Sequence, residues 1–467
     1  MSARREEALF VVRVQEVTAR LRASSGLTSF AELVPRELLN RLLAELGVVF
    51  REGVDTPAVT VWMFLSQVLS ADHSCRDTVA RLLAWRQARG QRLCSPNTGT
   101  YCVARARLPE ELGPRLVRET GQQLERDSDP DWRWKGHRVR IVDGATLTMP
   151  DTVENQAEYP QPSSQKAGLG FPIVRIVVLF SLAVGTVLNY ALGQYSGKFT
   201  GENQLFRAML DLLEPHDVVL ADRYYASFWD FALLDQRNVR LVTRQHQLRT
   251  TDFRRGTRLG QGDHLVTWAK PQQRPDWLDR ETYDRLPGEL LLREVRIRVE
   301  QSGFRVREYV LVTTLYDHEQ YATADLADLY RQRWHAELHL RSLKSAMQMD
   351  HLRCLTPEMI RKEIAMHLLA YNAVRRVMAE AARHQDLRPA AVSFTGALQT
   401  LRAFHEQGLL EDTPSTDTVA TLRAAIARHR VGERPNRNEP RANKRRPKYK
   451  FLTKPRQTFP NRVPHKT

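Results

Sequence analysis

The order of strand and helix patterns between residues 137 and 245 constrains the fold more than any other feature of the sequence. HRVRIVDGATLTM alternates apolar and polar residues, and IVRIVVLFSLAV and TVLNYALGQY follow as a hairpin around Gly185. Two further strand patterns, DVVLADR and VRLVTR, are separated by a stretch with helical spacing. Strands first, and then strands alternating with helices, are typical of a mixed sheet that helices cover. The sequence therefore predicts an α/β fold built on a mixed sheet.

The regions on either side of this sheet have other patterns. Apolar residues recur every three or four positions before about residue 130, which predicts helices there. Period-two patterns in REVRIRVEQSGFRVREYVLVTT indicate a β-strand insertion, and helical spacing resumes at about Ala324. A chain of 467 residues is expected to hold several domains. We predict a helical N-terminal region at residues 1–132 and a core in two parts at 133–245 and 319–385. A β-strand insertion lies between these parts at 246–318. A helical C-terminal region at 386–430 and a basic tail at 431–467 follow.

The charge of the chain indicates a polyanionic partner. The net charge is +16 and the pI is about 9.9, so nucleic acid is the first candidate and an anionic membrane surface the second. Residues 431–467 hold twelve Lys and Arg against two Glu, which predicts either an extended segment on phosphates or a solvated tail that aids solubility. We expect no membrane partner, because no basic amphipathic anchor is present. The apolar stretch 171–192 contains Arg175 and is better explained by two buried strands.

Cysteine use indicates a reducing compartment. The chain has four cysteines and none forms a CxxC pair, which argues against a zinc finger or a disulfide framework: Cys75, Cys94, Cys102 and Cys354. Charged residues at positions 4–7 interrupt any early apolar run, so we expect no signal peptide. These features predict a cytoplasmic protein of bacterial type, associated with the nucleoid if DNA is its partner.

The segment SPNTGTYCVARARLPEELGPRLVRE, residues 95–119, resembles a helix, a turn and a second helix. Ser95 or Asn97 can cap the first of these helices. Such a pair can dock one helix on DNA, although most helical pairs are ordinary core. The sequence thus predicts a DNA-binding N-terminal region and leaves a purely structural helix pair open.

Two aspartates follow strand patterns. Asp143 is expected to end a strand and to share a face with Val139 and Ile141, and Asp222 follows the strand VVLA in the same manner. A carboxylate at the end of a strand lies at the edge of the sheet where ligands collect. Taken alone, an aspartate there is more often a turn former or a helix cap. Glu202 and His137 also lie near the predicted core, but a glutamate at a helix start and a lone histidine are more often structural.

The third acidic residue lies in the segment LYRQRWHAELHLRSLKSAM, which is expected to form one helix. Four polar residues fall within a sector of about 60° on that helix, at 100° per residue: Tyr330, Arg333, Glu337 and Lys344. An exposed helix with an i,i+4 ion pair explains Arg333 and Glu337 but not the other two. The shared stripe therefore indicates a functional surface.

Phosphodiester chemistry explains the whole set. Cleavage needs one metal ion at the attacking oxygen and a second at the leaving oxygen, and carboxylates are the ligands that Mg²⁺ and Mn²⁺ prefer. Asp143, Asp222 and Glu337 can surround such a pair of ions. Arg333 and Lys344 can grip neighbouring phosphates, and Tyr330 can donate a hydrogen bond to a phosphate oxygen.

The stripe resembles the signature of a known family. The pattern Tyr-x2-Arg-x3-Glu-x6-Lys is that of DDE transposases of the insertion sequence 4 family, and the chain matches it without a gap. The segments IVDGATL around Asp143 and VVLADRYYAS around Asp222 resemble the same family, so that the resemblance spans about residues 135–350.

This resemblance implies a ribonuclease-H-like catalytic core, interrupted by a β insertion before the glutamate. It implies that Asp143, Asp222 and Glu337 are catalytic and hold two Mg²⁺ or Mn²⁺ ions. It also implies cut-and-paste transposition, in which water attacks at the transposon end, the freed 3′ hydroxyl forms a hairpin, and the reopened end joins target DNA. The implied partners are transposon-end DNA with inverted repeats, target DNA and a second copy of the chain in a homodimer.

The resemblance also suggests where DNA is held. Family members flip a base near the cut and stack it on an aromatic residue of the insertion, and Tyr309 is the nearest match by position. Trp268 and Trp277 are alternatives, and an ordinary strand role for Tyr309 stays open. Further predicted DNA contacts are Tyr330, Arg333, Lys344, Arg341, Trp334 and Arg223.

Two other functions remain open at this point. A nuclease or resolvase on the same fold would need the acidic triad but not the Tyr, Arg and Lys beside the glutamate. A DNA-binding protein derived from a transposase would need no intact triad, whereas all three acidic residues are present here. A transposase is therefore the favoured hypothesis.

Overall fold

The computed structural model describes residues 34–49, 54, 56–166, 168–198, 200–299, 308–406 and 416–432. The basic tail lies almost wholly outside these residues, as do residues 1–33. Before the sheet, the described chain forms five α-helices: α1 (Arg36–Glu45), α2 (Pro57–Leu69), α3 (Cys75–Ala88), α4 (Gly99–Arg107) and α5 (Leu112–Arg126). The side chain of Thr56 accepts a hydrogen bond from the Val59 amide at the start of α2, where Pro57 fills the first turn. Helices α4 and α5 are the pair predicted for residues 95–119.

The first part of the central sheet has five strands: β1 (Val139–Thr148), β2 (Ile173–Ser181), β3 (Val187–Gln194), β4 (Val218–Ala221) and β5 (Arg240–Arg244). Their spatial order is β3-β2-β1-β4-β5. Strands β1, β2 and β3 pair antiparallel, whereas β4 and β5 continue the sheet parallel to β1. The sequence of β2, IVRIVVLFS, is almost continuously apolar because elements cover both faces of the sheet there.

The predicted insertion extends this same sheet. It contains β6 (Thr257–Gly260), β7 (Asp263–Ala269), β8 (Glu289–Arg298) and β9 (Glu308–Thr313), and β9 pairs antiparallel with β5. The result is one nine-stranded sheet. Arg293, fully buried in β8, donates to both carboxylate oxygens of Asp263 at 2.9 and 2.6 Å and to the carbonyl of Tyr321 at 2.8 Å. This buried ion pair ties the insertion to the segment that leads into the second part of the core.

Helices cover both faces of the sheet. Four short helices lie between the strands: α6 (Val153–Glu158), α7 (Glu202–Arg207), α8 (Phe228–Asp235) and α9 (Arg280–Arg285). After β9 come α10 (Thr323–Arg331), α11 (Trp334–Arg341), a π-helical turn (Ser342–Ala346), α12 (Pro357–Arg383), α13 (Phe394–Glu406) and α14 (Thr416–Arg428). One core cluster packs Ile141 and Ile176 against α12, and another packs Val142 and Val177 against α7 and α8.

Helix α12 is the central support of the fold. Twenty of its 27 residues are buried, so it runs through the interior and not along the surface. The side chain of its Asn372 makes hydrogen bonds with the start of the edge strand β3, in place of those that a neighbouring strand would make. The Asn372 side-chain oxygen accepts from the Val187 amide at 2.8 Å and from the Thr186 hydroxyl at 2.7 Å, and its amide donates to the Val187 carbonyl at 2.9 Å.

The predicted fold class is confirmed: the molecule is α/β, with a ribonuclease-H-like mixed sheet, a β-strand insertion and flanking helices. Between β3 and β4, helix α7 ends at Arg207, a 3₁₀ turn follows at Leu210–Leu212, and Leu213 is extended before β4. Among the described residues, no helix is long and apolar enough to cross a membrane.

Candidate active site

The register of two parallel strands brings the predicted aspartates together. Strands β1 and β4 pair from Val139–Val218 to Ile141–Leu220, and two residues further along each strand lie Asp143 and Asp222. Asp143 does not end its strand as predicted. Strand β1 continues to Thr148 because it still pairs with β2, where Asp143 lies opposite Val178. The shorter strand β4 ends before it, so that Asp143 lies where the sheet opens beside Asp222.

Asp143 is largely withdrawn from water. Its side chain is 20% exposed, and its Oδ1 accepts a hydrogen bond from the Gly144 amide at 2.9 Å. Burial raises the pKa of this carboxyl to about 6, and the negative charges of Glu337 and Asp222 act in the same direction. A buried carboxylate beside two others is a site that favours a bound cation.

Asp222 is held by local backbone contacts. Its Oδ1 accepts from the Tyr224 amide at 2.7 Å and caps the 3₁₀ turn Arg223–Tyr225, while its own carbonyl accepts from the Thr243 hydroxyl at 2.5 Å. This capping role is the ordinary structural function of such an aspartate. The same turn leaves Arg223 and Tyr224 exposed at the edge of the sheet.

The segment that carries Glu337 is not the single regular helix that was predicted. Helix α10 ends at Arg331, and the chain tightens through hydrogen bonds from the Arg333 amide to the Tyr330 carbonyl and from the Ala336 amide to the Arg333 carbonyl. After α11 the backbone widens into the π-helical turn Ser342–Ala346. Tight and wide turns depart from 100° per residue in opposite directions. Tyr330, Glu337 and Lys344 therefore belong to three successive elements.

Arg333 lies between two of the acidic side chains. Its Nη2 donates to Glu337 Oε1 at 3.1 Å, and its Nη1 lies 3.9 Å from Asp143 Oδ2. The i,i+4 pair expected of any exposed helix is thus present, but the guanidinium also reaches β1. Arg333 is 19% and Glu337 41% exposed on their side chains, so this contact lies at a partly open edge.

Tyr330 and Lys344 lie on either side of this contact. Tyr330 is mostly buried, and burial raises the pKa of its hydroxyl to about 12, so that it stays protonated at neutral pH. Lys344 Nζ donates to the Thr146 carbonyl of β1 at 2.9 Å. The structure therefore brings Arg333, Glu337 and Lys344 of the sequence signature to β1, whereas the ring of Tyr330 lies against Tyr309 of β9.

The other predicted DNA contacts differ in their exposure. Trp334 is 51% exposed, and Arg341 is also exposed, on the face of α11 opposite the buried Ala336 and Leu340. Tyr309 is half-buried, with its ring centre 5.8 Å from that of Tyr330 and the Arg244 guanidinium 5.3 Å above it.

The two tryptophans of the insertion are engaged elsewhere. Trp268 is buried at 5% exposure and donates to Glu294, while the Arg249 guanidinium covers its ring at 3.7 Å. The Arg207 guanidinium covers the Trp277 ring at the same distance of 3.7 Å. Trp268 is thus closed off by burial, whereas Trp277 and Tyr309 are both half-buried with an arginine over the ring, so these two stay open as stacking candidates.

Glu202, which sequence reasoning kept outside the site, lies against Gly144, the residue after Asp143. A Cβ atom placed on Gly144 would meet the carboxyl carbon of Glu202 at 2.5 Å, so the glycine after Asp143 makes room for this side chain. Arg175 donates to Glu202 at 3.3 Å, and burial raises the pKa of Glu202. The start of α7 and the middle of β1 are brought together only by the fold. The one signal in the sequence was the glycine that follows Asp143. His137 is structural, since its ring bonds the Tyr321 hydroxyl at 2.8 Å.

The carboxylates are close but do not converge. Within the residues that the structure describes, no three acidic, His or Cys side chains come near enough to one another to hold a metal ion. The Arg333 guanidinium occupies part of the space between Asp143 and Glu337.

Comparisons with known proteins agree with this architecture. Residues 134–373 match the family model described as "Transposase DDE domain". The chain is 28% identical over 368 residues to "Transposase InsG for insertion sequence element IS4" of Escherichia coli (strain K12), covering 77% of this chain and 78% of that protein. It is 39% identical over 72 residues to "Transposase for insertion sequence element IS421" of Escherichia coli, covering 15% of this chain and 19% of that one.

A similar solved structure is the "Cryo-EM structure of piggyBac transposase synaptic complex with hairpin DNA (SNHP)", at 11% identity and a TM-score of 0.43 over 87% of each chain. The family match itself covers half of this chain, from the residues before β1 to the middle of α12. It includes both aspartates and the whole Tyr-Arg-Glu-Lys segment. The chain is a DNA transposase and belongs to the insertion sequence 4 family of DDE transposases.

Proposed function

We propose that this transposase carries out metal-dependent cut-and-paste transposition of an insertion sequence, with Asp143, Asp222 and Glu337 as its catalytic carboxylates. The observation that carries the proposal is the register of β1 and β4, which puts Asp143 beside Asp222 on the side of the sheet that α11 covers with Glu337. The family membership supports DNA as the substrate and phosphodiester cleavage as the reaction.

The donor set fits divalent metal ions. All three side chains offer hard carboxylate oxygens, which Mg²⁺ and Mn²⁺ prefer. A cationic group, the Arg333 guanidinium, already balances Asp143 and Glu337 in the structure. Two bound ions would activate the attacking water or 3′ hydroxyl and neutralise the leaving oxygen.

The residues of the chain have distinct tasks in this scheme. The Gly144 amide fixes one oxygen of Asp143, and the Tyr224 amide fixes one oxygen of Asp222. Glu337 completes the set when the Arg333 side chain turns away from the carboxylates. The freed guanidinium then grips a phosphate beside the scissile bond as a two-pronged donor.

DNA is held around this centre. Tyr330, protonated at neutral pH, donates a hydrogen bond to a phosphate oxygen, and Lys344 supplies a positive charge one element further along. Trp334, Arg341 and Arg223, all exposed, contact the flanking strand.

The finer steps are those implied by the family. The end is released through a hairpin and joined to target DNA by a homodimer that holds two inverted-repeat ends. Tyr309 stacks the base that is flipped near the cut. Its support is its position beside Tyr330 of the signature, together with the burial of Trp268.

Cleavage of end DNA tests the proposal. The full chain is incubated with Mg²⁺ and labelled duplex that carries the inverted repeat flanking its gene. We expect nicking at the repeat, a hairpin product, and at least about a thousandfold slower cleavage by Glu337→Gln, which keeps the size of the side chain but removes its charge. Glu281→Gln, a matched change on the exposed face of α9, should cleave as the unchanged protein does.

Three outcomes would contradict parts of the proposal. Equal cleavage by the unchanged chain and Glu337→Gln would exclude the triad. Nicking without any hairpin or joined product would favour a nuclease on the same fold. Sequence-specific binding of the repeat without cleavage in Mg²⁺ or Mn²⁺ would favour a DNA-binding protein that has lost catalysis.

A further inference from the structure

Three of the four thiols lie close to one another in the fold. Cys75 begins α3, Cys102 lies in α4, and Cys354 lies in the segment that leads into α12. The Sγ atoms of Cys75 and Cys102 are 3.9 Å apart and share a hydrogen bond. The guanidinium of Arg105 bridges them, with Nη2 at 3.2 Å from Cys75 Sγ and 3.7 Å from Cys102 Sγ.

The arginine is fixed in this position by the fold. Arg105 is 8% exposed, its Nη1 donates to the Gln67 side-chain oxygen at 3.1 Å, and its guanidinium lies between the rings of Phe64 and Tyr101 at 4.9 and 4.8 Å. Within the described residues no carboxylate forms an ion pair with Arg105, and the charge of Arg105 reaches the buried carboxyl of Glu363 only at longer range. A buried guanidinium without such a partner stabilises negative charge on a neighbouring atom, and the two sulfurs are the nearest candidates.

The two thiols are made unequal by this arrangement. The hydrogen bond shared with Cys75, together with the charge of Arg105, lowers the pKa of Cys102 to about 6, against the effect of burial. The shared hydrogen bond and burial raise the pKa of Cys75. A thiolate beside a protonated thiol is the pairing that oxidation to a disulfide requires.

We propose that Cys75 and Cys102 are a redox-active pair, which a hydroperoxide such as hydrogen peroxide converts to a disulfide and a thiol reductant restores. The inference rests on the contacts of this pair and not on the proposed catalytic mechanism. The catalytic role proposed for the acidic residues does not depend on this redox chemistry.

The chemistry balances with hydrogen peroxide as the oxidant. The Cys102 thiolate attacks one peroxide oxygen, the O–O bond breaks, and Cys102 becomes a sulfenic acid as hydroxide leaves and is protonated to water. The Cys75 sulfur then attacks the Cys102 sulfur, and the displaced hydroxide leaves as water with the proton of Cys75. Two thiols and one peroxide give one disulfide and two water molecules. The sulfurs must approach by about 2 Å to reach bonding distance.

The bond would cross-link α3 and α4 at their contact with the catalytic part of the chain. Arg353, next to Cys354, donates to the Asp72 carbonyl just before α3 at 2.7 Å. The Arg353 and Cys354 amides both donate to the buried carboxylate of Glu363 in α12. Oxidation therefore acts where the N-terminal helices meet the segment that follows Glu337 and Lys344.

Peptide mapping of the full chain tests the proposal. The reduced protein is treated with one equivalent of hydrogen peroxide at pH 7, quenched with catalase, alkylated and digested without reductant. We expect a linked Cys75–Cys102 peptide that dithiothreitol removes. Cys102 should be consumed at least about tenfold faster than Cys94, an equally half-buried thiol that takes no part in these hydrogen bonds.

Two variants separate the steps. Cys75→Ser should stop the linked peptide but leave Cys102 able to form a sulfenic acid, which dimedone traps. Cys102→Ser should abolish both products, and Cys94→Ser, the matched control, should change neither. The proposal is overturned if Cys102 reacts no faster than Cys94, or if Cys354 replaces Cys75 in the disulfide. Because the readout is a peptide mass, failure to cleave DNA would not affect the result.

Discussion

A single residue, Asp143, shows how the proposed function acts against stability. Its carboxyl is withdrawn from water and faces the charges of Glu337 and Asp222. Arg333 approaches it only to 3.9 Å, which is a weak ion pair. Since its pKa is raised above the value of 3.8 that it has in an unfolded chain, the folded state binds a proton more tightly than the unfolded state. This carboxylate therefore destabilises the fold above pH 6 unless a cation is bound.

We predict that Asp143→Asn stabilises the metal-free protein. At pH 8 in EDTA the free energy of unfolding should rise by about 1 to 3 kcal/mol, because the amide removes a buried charge. The gain should shrink as the pH falls below 6 and vanish below about pH 3, where the carboxyl is protonated in both the folded and the unfolded state. Urea unfolding at the two pH values measures the difference.

The matched control is Asp211→Asn, on a side chain that is 91% exposed, where we expect a change within about 0.5 kcal/mol at both pH values. A loss of stability for Asp143→Asn at pH 8 would mean that Arg333 compensates the charge fully. It would contradict the conclusion that the Asp143 carboxylate destabilises the fold.

At the scale of elements, the turn between β2 and β3 depends on one glycine. Gly185 has φ +71°, a conformation that other residues rarely adopt. A Cβ atom there would meet the Arg375 guanidinium at 2.2 Å. Arg375 is buried in α12, and its Nε donates to the Val184 carbonyl at 2.8 Å. The turn and the central helix are thus locked together at this position.

We predict that Gly185→Ala lowers the free energy of unfolding by about 2 to 4 kcal/mol, because it combines backbone strain with displacement of a buried cation. Thermal or urea unfolding measures the change. Gly288→Ala is the matched control, since a Cβ there meets nothing within 4 Å and the backbone is outside the left-handed region, and it should cost less than about 1 kcal/mol. Equal effects of the two changes would show that the contact with Arg375 relaxes at no cost.

The element that carries Glu337 also shows where sequence reasoning stops. The spacing of Tyr330, Arg333, Glu337 and Lys344 predicts a shared surface, and the structure brings the last three to β1 and Tyr330 to the neighbouring Tyr309. The spacing could not predict the tight turn at Arg333 or the π-helical turn at Lys344. Hydrogen bonds to β1 and packing of the buried Leu343 determine the local helical pitch there. Periodicity reports which residues share a face and is insensitive to small changes of pitch.

Tertiary contacts set the same limit on the rest of the site. Asp143 was predictable as a strand residue and Asp222 as the residue after a strand, but neither segment alone predicts the pairing of β1 with β4 that makes them neighbours. Glu202 was set aside because its segment alone indicates only a helix start. Its position beside Gly144 depends on the packing of α7 against the sheet.

At the scale of the whole molecule, one continuous sheet joins the proposed catalytic centre to the insertion. Strand β9 pairs with β5, and β5 pairs with β4, so two strand pairings separate Tyr309 in β9 from the strand before Asp222. Hydrogen bonds between paired strands, and not a flexible linker, fix the positions of the side chains on this sheet. That rigidity supports a role for the insertion in positioning DNA, because a stacking residue must keep its distance from the metal ligands.

The largest charge of the molecule is outside the described residues. Positions 433–467 contain twelve Lys and Arg and two Glu, so they hold most of the net charge of +16. Each phosphate that a lysine or arginine neutralises on duplex DNA adds about 0.9 to the slope of log affinity against log salt concentration. A tail that contacts DNA therefore adds to the salt dependence that the phosphate contacts of the folded part contribute.

We predict that a chain ending at Gly432 binds duplex DNA of unrelated sequence about 10²-fold to 10³-fold more weakly at 50 mM salt, with a salt slope smaller by several units. Fluorescence anisotropy across a series of salt concentrations measures both quantities. The matched control keeps the length of the tail but replaces its twelve Lys and Arg with Gln, and should behave as the truncated chain does if charge is the cause. Cleavage of end DNA at saturating protein should persist in both variants, because the acidic residues and the Tyr-Arg-Glu-Lys segment remain. An unchanged salt slope would instead assign these residues a role in solubility alone.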